Sequence, residues 1–258
     1  MHHIFVKNDF IYIDQKTIKI DKNSDIENYN HLVNALRVKI GESVLCSVYP
    51  FSSTYDYKTI IKDIDSEKIE LMIEESVEGS ELNYTINLYQ GMCKSDKFEF
   101  VIEKAVELGV SSITPLIVDN CVVRFDSSDK RYKSKFDRYN KIAKSAAEQS
   151  KRHVIPEVHA EVTIDEMIRK GKDSYNIVFY ENAYGIEKTH DLINEIKSQS
   201  AGSKPINIFV GPEGGFTEKE IDLMKRNGFY VLSLGKRILR TETAAITALS
   251  ILMYEFEV

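Results

Sequence analysis

The chain has 258 residues, 43% of them hydrophobic and 29% charged, with a formal net charge of −6. That balance supports a globular protein with a real core and excludes a disordered or fibrous chain. No stretch reaches the roughly 18–20 consecutive apolar residues of a membrane span. The start, Met1-His2-His3-Ile4-Phe5-Val6-Lys7, lacks the apolar core and cleavage site of a signal peptide, so a cytoplasmic chain is expected. Cys46, Cys93 and Cys121 are far apart and the six histidines show no HExxH spacing, so neither a disulfide framework nor a metal site is expected.

In chain order, short runs rich in β-branched and aromatic residues predict strands over 10–13, 17–20, 43–49, 55–61 and 68–73, with one short helix over 31–38. A small β-barrel over residues 1–75 follows, and the polar stretch 74–83, with Gly79-Ser80, reads as a linker. From there strands and helices alternate. Strands are predicted over 84–90, 113–118, 176–180, 206–210 and 230–234. Helices are predicted over 96–108, 130–150, 162–170, 187–198, 217–227 and 241–254, with Gly109 and Gly171 closing two of them. Thr217 with Glu220 three residues on is a capping box. The alternation predicts an α/β domain over 76–258 with a mostly parallel sheet.

Charge is unevenly spread. Residues 1–75 carry nine Lys/Arg against thirteen Asp/Glu, whereas residues 130–152 carry nine basic residues against two acidic ones. Wound as a helix, that segment places Tyr132, Phe136, Tyr139, Ala143 and Ala146 on one face and Lys133, Arg138, Lys141 and Lys144 on the other. The basic face is either simply solvated or a phosphate-binding surface.

Two segments point to chemistry. In the first, the apolar run 206–210 ends in Val210 and is followed by Gly211-Pro212-Glu213-Gly214-Gly215 and a capped helix. Glycines there let a ligand approach the backbone, and the helix start offers free N–H groups. The spacing is neither GxGxxG nor a P-loop, so taken alone the loop is a ligand loop or a tight turn. In the second, Leu234-Gly235-Lys236-Arg237-Ile238-Leu239-Arg240-Thr241-Glu242-Thr243 runs into a helix rich in alanine and leucine. A buried helix starting beside a glycine loop predicts a polar pocket, or no more than a capped helix with an Arg–Glu pair.

Together these segments closely resemble the knotted SPOUT-class methyltransferases, and above all the ribosomal RNA small subunit methyltransferase E family. Three further motifs carry the resemblance: His31-Leu32-x-x-x-Leu36-Arg37-x-x-x-Gly41; Lys94 with Lys104-Ala105-x-Glu107-Leu108-Gly109; and Glu148-Gln149-Ser150-x-Arg152-x-x-x-Pro156. The resemblance implies a PUA-like N-terminal barrel, a trefoil knot in the C-terminal part, a homodimer, and methylation of N3 of a uridine in 16S rRNA, free or in the small subunit. It implies S-adenosylmethionine held by three loops: Glu181 and Asn182; Val210 with Gly211, Pro212, Glu213, Gly214 and Gly215; and Leu234, Gly235, Ile238, Leu239 and Arg240.

Uridine N3 carries a proton and is a poor nucleophile until a negative charge develops on the base. A fixed, permanently charged guanidinium suits that charge, so Arg240 and then Arg237 are the expected catalytic residues. Glu242 is expected to orient Arg240 or to accept the proton. RNA contacts are expected from Arg37, Lys94, Arg124 and Arg152, and from the basic face of Lys133, Arg138, Lys141 and Lys144.

Overall fold

The structure is a computed structural model that describes residues 1–49, 55–79, 81–123, 131–170, 173–183, 187–198 and 204–257. The chain divides into two compact units, Met1–Glu81 with Ala147–Val154, and Leu82–Ala146 with Ile155–Val258.

The first unit is built on β1 (His2–Lys7), β2 (Ile11–Tyr12), β3 (Thr17–Asp21), β4 (Ser43–Tyr49), β5 (Tyr55–Ile64) and β6 (Lys68–Glu78), in the order β1-β4-β5-β6-β3-β2. The first pair is parallel and the others antiparallel. Alternation sends Ile18 and Ile20 of β3 and Ile69 and Leu71 of β6 into a core shared with Ile4, Val6, Val44 and Ile61. A short helix, α1 (Ile26–Asn30), is capped by Asp25 and runs into a π-type segment, His31–Leu36. Tyr29 and Leu32 from this pair close the core.

Several sequence expectations need correction in this unit. Strand β1 carries four successive buried residues, His3 to Val6, so it shows no period of two and escapes pattern reading. Of residues 10–13 only Ile11–Tyr12 pairs as a strand, between two 3-10 turns. The expected linker 74–83 is strand as far as Glu78, and the expected boundary at 75 falls inside β6. Beyond Met72 this strand has lost β3 and pairs with β5 alone, which is why its sequence turns polar there. In place of a closed barrel, the described pairings make a sheet with β1 and β2 as its edges.

The second unit alternates β7 (Ile86–Gly91), α2 (Ser95–Glu107), β8 (Ser112–Ile117), α3 (Arg131–Ser150), β9 (Glu157–Val158), β10 (Val162–Thr163), α4 (Ile164–Lys170), β11 (Tyr175–Phe179), α5 (Glu187–Ser198), β12 (Ile206–Val210), α6 (Glu218–Arg226), β13 (Tyr230–Leu232) and α7 (Thr241–Glu257). The last turn of α3 belongs to the first unit. Sheet order is β10-β8-β7-β12-β11-β13 with β9 on β8, and every pair is parallel. Strands β11 and β12 are buried throughout, as strands covered on both faces must be.

Register at the amino ends of four strands is pinned by a polar ladder. Ser112 donates to Asn87, Asn87 to Asn207, and Asn207 to Asn176 and Ser174, at 2.8–3.0 Å. A one-residue slip of any strand would strand these buried amides without partners. Helix α7 buries Ala245, Ala248, Leu249 and Leu252 against α2, α5, β7 and β12. Helix α3 buries Tyr139, Ala143 and Ala146 and exposes Lys133, Arg138 and Lys141. Its expected first residue, Lys130, and the expected closing residue of α4, Gly171, lie outside the described residues. Among the described residues no helix is long and apolar enough to cross a membrane. No group of three or more His, Cys, Asp or Glu among them is arranged to hold a metal.

Candidate active site

In a parallel sheet, ligands collect beyond the carboxyl ends of the strands. Three adjacent strands, β12, β11 and β13, end at Val210, Phe179 and Leu232. The loops that follow them line one cleft of about 720 Å³, part of it open to solvent. Tyr180 and Glu181 come from the first-ending loop in sequence, Gly211 to Phe216 from the second, and Ser233 to Gly235 from the third; Arg237, Ile238, Leu239, Thr241 and Ala244 complete the wall.

The glycine loop is folded on itself. Gly215 has φ +66° and its N–H donates to the Pro212 carbonyl at 2.9 Å. A Cβ on Gly211 would stand 3.1 Å from Gly215 Cα, so the two glycines meet where side chains would separate them. Outside the loop, Gly91 at the end of β7 abuts Pro212: a Cβ there would lie 2.3 Å from Pro212 N. The neighbouring Gln90, fully buried, donates through Nε2 to Thr241 Oγ1 at 2.7 Å, and Thr241 Oγ1 donates to the Gly211 carbonyl at 2.5 Å. One hydrogen-bond chain thus joins β7, the start of α7 and the loop.

Two further groups brace the loop. Asn120 Nδ2, in the turn after β8, donates to the Gly214 carbonyl at 2.8 Å. Glu220 completes the Thr217 capping box and also accepts the Asp119 N–H at 2.8 Å. On the other side, Lys97 of α2 reaches Glu213 at 3.3 Å and Glu242 at 3.9 Å. Burial pushes the Glu213 carboxyl up. Its own backbone N–H, the Lys97 ammonium and the Lys94 N–H outweigh burial and hold it below the ordinary value. The Cys93 thiol nearby is pushed up to about 12, chiefly by burial and then by the Glu213 charge, and stays neutral.

Most of the expected cofactor residues meet here: Glu181, Val210, the loop from Gly211 to Gly215, Leu234, Gly235, Ile238 and Leu239 all line the cleft, as does Arg237. Asn182 does not; it is exposed and donates to the Tyr180 hydroxyl at 3.1 Å. Arg240 is exposed and outside the lining, flanked by Leu239 and Thr241. Glu242 also stands outside the lining, half-buried beside Lys97, and its Oε2 has no hydrogen-bond partner. Thr241, within the segment expected to form the pocket, lines the wall, whereas sequence reasoning missed Phe179, Tyr180, Phe216, Ser233 and Ala244 there, and Gln90, Gly91, Lys97 and Asn120 behind it. A buried glutamine next to a glycine at a strand end was the one local signal for them.

Among the expected RNA contacts, Arg37 is exposed in the left-handed region at φ 53°, and Lys94 is exposed at the N-cap of α2. Lys133 and Lys141 are exposed and Lys144 half-buried, while Arg138 pairs with Glu99 at 2.6 Å. Arg124 lies outside the described residues. Arg152 is corrected: it is 5% exposed and its guanidinium forms a two-pronged pair with Glu81, whose Oε1 also accepts the His153 and Val154 N–H groups. That buried pair organises the first unit and leaves little of the guanidinium for a phosphate.

An α/β unit with a parallel sheet and a glycine-lined cleft past three adjacent strands has the architecture of an RNA methyltransferase domain, and the family model of that description matches residues 80–253. The chain belongs to that family and, within it, to the ribosomal RNA small subunit methyltransferase E family. It is 33% identical to the Bacillus subtilis member over 90% of this chain and 89% of that one. With the Rickettsia conorii member it shares 31% identity over 95% of each. The crystal structure of the Neisseria gonorrhoeae member bound to S-adenosyl methionine superposes with a TM-score of 0.79 at 26% identity, covering 98% of this chain and 97% of that one.

Proposed function

We propose that this protein transfers a methyl group from S-adenosylmethionine to N3 of a uridine in 16S rRNA of the small ribosomal subunit. The observation that carries the reading is the cleft, in which three strand-end loops converge and glycines let a ligand come close to the backbone. Its mixed lining of backbone amides, Phe179, Leu239 and the Glu181 and Glu213 carboxylates fits a molecule that is part purine, part cation. The cofactor supplies a methyl already activated on sulfonium sulfur, so the protein's work is positioning and charge control.

Arg240 and Arg237 are the candidates to stabilise charge developing on the uracil, and Glu242, in the first turn of α7, is a candidate to orient Arg240 or to accept the N3 proton. The exposed Arg37, Lys94, Lys133, Arg138 and Lys141, with the half-buried Lys144, are proposed to hold the rRNA backbone and fix its orientation. The reading includes a cytoplasmic homodimer, a PUA-like role for the first unit, and a trefoil knot in the C-terminal part. Mass spectrometry of 16S rRNA from cells with and without the protein tests it. Loss of one methyl, at a uridine N3, is expected; an unchanged methylation pattern refutes the reading. Calorimetry with S-adenosylmethionine separates it from a purely RNA-binding role, which requires no cofactor affinity.

A further inference from the structure

We propose that Lys97 is a positioning residue of the methyl-transfer cleft, fastening Glu213 of the glycine loop to Glu242 in the first turn of α7. The proposal rests on the reading that this cleft holds S-adenosylmethionine.

Lys97 occupies the first turn of α2. A cation there opposes the helix dipole, which favours anions at this end. The placement is compensated from outside the helix, by two carboxylates on two other segments. Glu213 Oε1 lies 3.3 Å and Glu242 Oε2 3.9 Å from the same Nζ, and the three side chains are 30%, 29% and 16% exposed. Such screening-protected contacts are worth more than surface pairs. Glu242 Oε2 makes no hydrogen bond, so this ammonium is the group that offsets its charge.

The consequence reaches the cleft through one residue. Glu213 lines the wall, whereas Lys97 and Glu242 stand behind it. The groups acting on Glu213 are Lys97 and the Lys94 N–H at the start of α2, with the neutral Cys93 thiol nearby; Glu242 of α7 meets the same Lys97 and the same thiol. Without Lys97, two carboxylates share a half-buried corner with no cation between them. Burial then raises the Glu213 carboxyl, and like charge drives the glycine loop away from α7. The wall loses its fixed negative charge as the pH falls, and its geometry at any pH.

Titration calorimetry on the full-length protein with S-adenosylmethionine, at pH 6 and pH 8, tests this. Lys97→Met is expected to weaken binding by about tenfold or more, the yield of a lost charge-assisted contact, with the larger loss at pH 6. Lys97→Arg keeps the charge and is expected to restore affinity to near wild type at both values. In a Glu213→Gln background the same Lys97→Met change is expected to have little effect. Lys97→Gln carries the same expectations as Lys97→Met and serves if the methionine variant melts early. Equal affinity of wild type and Lys97→Met at both pH values, or additive effects in the double mutant, overturns the proposal. A wild-type protein that binds no S-adenosylmethionine instead overturns the reading of the cleft itself.

Discussion

Gly91 offers a sharp test of how the cleft is held, because it lies outside the cleft lining and needs no unusual backbone angle. Its role is close approach. A Cβ at this position would lie 2.3 Å from Pro212 N, 2.5 Å from Pro212 Cδ and 2.6 Å from the Gly211 carbonyl carbon, where ordinary contact begins at about 3.4 Å. Strand β7 is paired on both sides, by β8 and β12, and has little freedom to retreat. The Gly91→Ala change must therefore move the glycine loop by about 1 Å, a misplacement able to cost on the order of a hundredfold in a positioned site. Overpacking adds about 1–3 kcal/mol of destabilisation, and loss of the Thr241–Gly211 hydrogen bond about 1 kcal/mol more. Calorimetry with S-adenosylmethionine and a thermal melt on the same sample read both effects. Wild-type affinity in a folded Gly91→Ala protein would refute the claim that β7 sets the loop's position.

Asn207→Ala separates stability from function. It removes the centre of the amide ladder, and with it the acceptor of Asn87 Nδ2 and the hydrogen bonds given to Asn176 and Ser174, for a loss of about 2–4 kcal/mol in chemical denaturation. Cofactor affinity should be kept, since the ladder lies at the other end of β12, three residues or roughly 10 Å away. Changing Lys133, Lys141 and Lys144 to Glu should weaken binding of 16S rRNA fragments and flatten its dependence on salt, leaving cofactor affinity intact. Unaltered RNA affinity in gel-shift titrations would mean that the basic face of α3 is merely solvated. Finally, His3 is buried, with Nε2 on Ser47 Oγ at 2.7 Å and Nδ1 on the Glu148 carbonyl at 3.2 Å. Burial chiefly lowers its pKa from the ordinary 6.5. Its contribution to stability is therefore present above that value and lost as the pH falls below it. Melting temperature should drop on acidification, and less steeply in His3→Gln; parallel curves would contradict this.

What could be read from one dimension was whatever repeats or clusters locally. The apolar stretches Ile177–Phe179 of β11 and Ile208–Val210 of β12, the capping box of Thr217 and Glu220, and Gly109 at φ +84° after α2 each carry their own signal within a few residues. So did the cleft-lining segments, because a ligand loop concentrates glycine and because α7 is rich in alanine, leucine and isoleucine. Arg152 misled for the opposite reason: its partner, Glu81, lies 71 positions away, and nothing local tells a buried ion pair from a free guanidinium.

The amino-acid order alone thus determined that the second unit would be α/β, that its ligand loops would follow the strands ending at 210 and near 234, and which face of α3 would be basic. Only the tertiary structure decided that Gln90, Gly91, Lys97 and Asn120 would stand behind those loops, that Asn182 would lie outside the cleft, and that Glu242 would answer to Lys97. The reason is range. Propensity and capping act over one turn or one strand, whereas close approach and charge pairing depend on which distant segments the parallel sheet sets side by side.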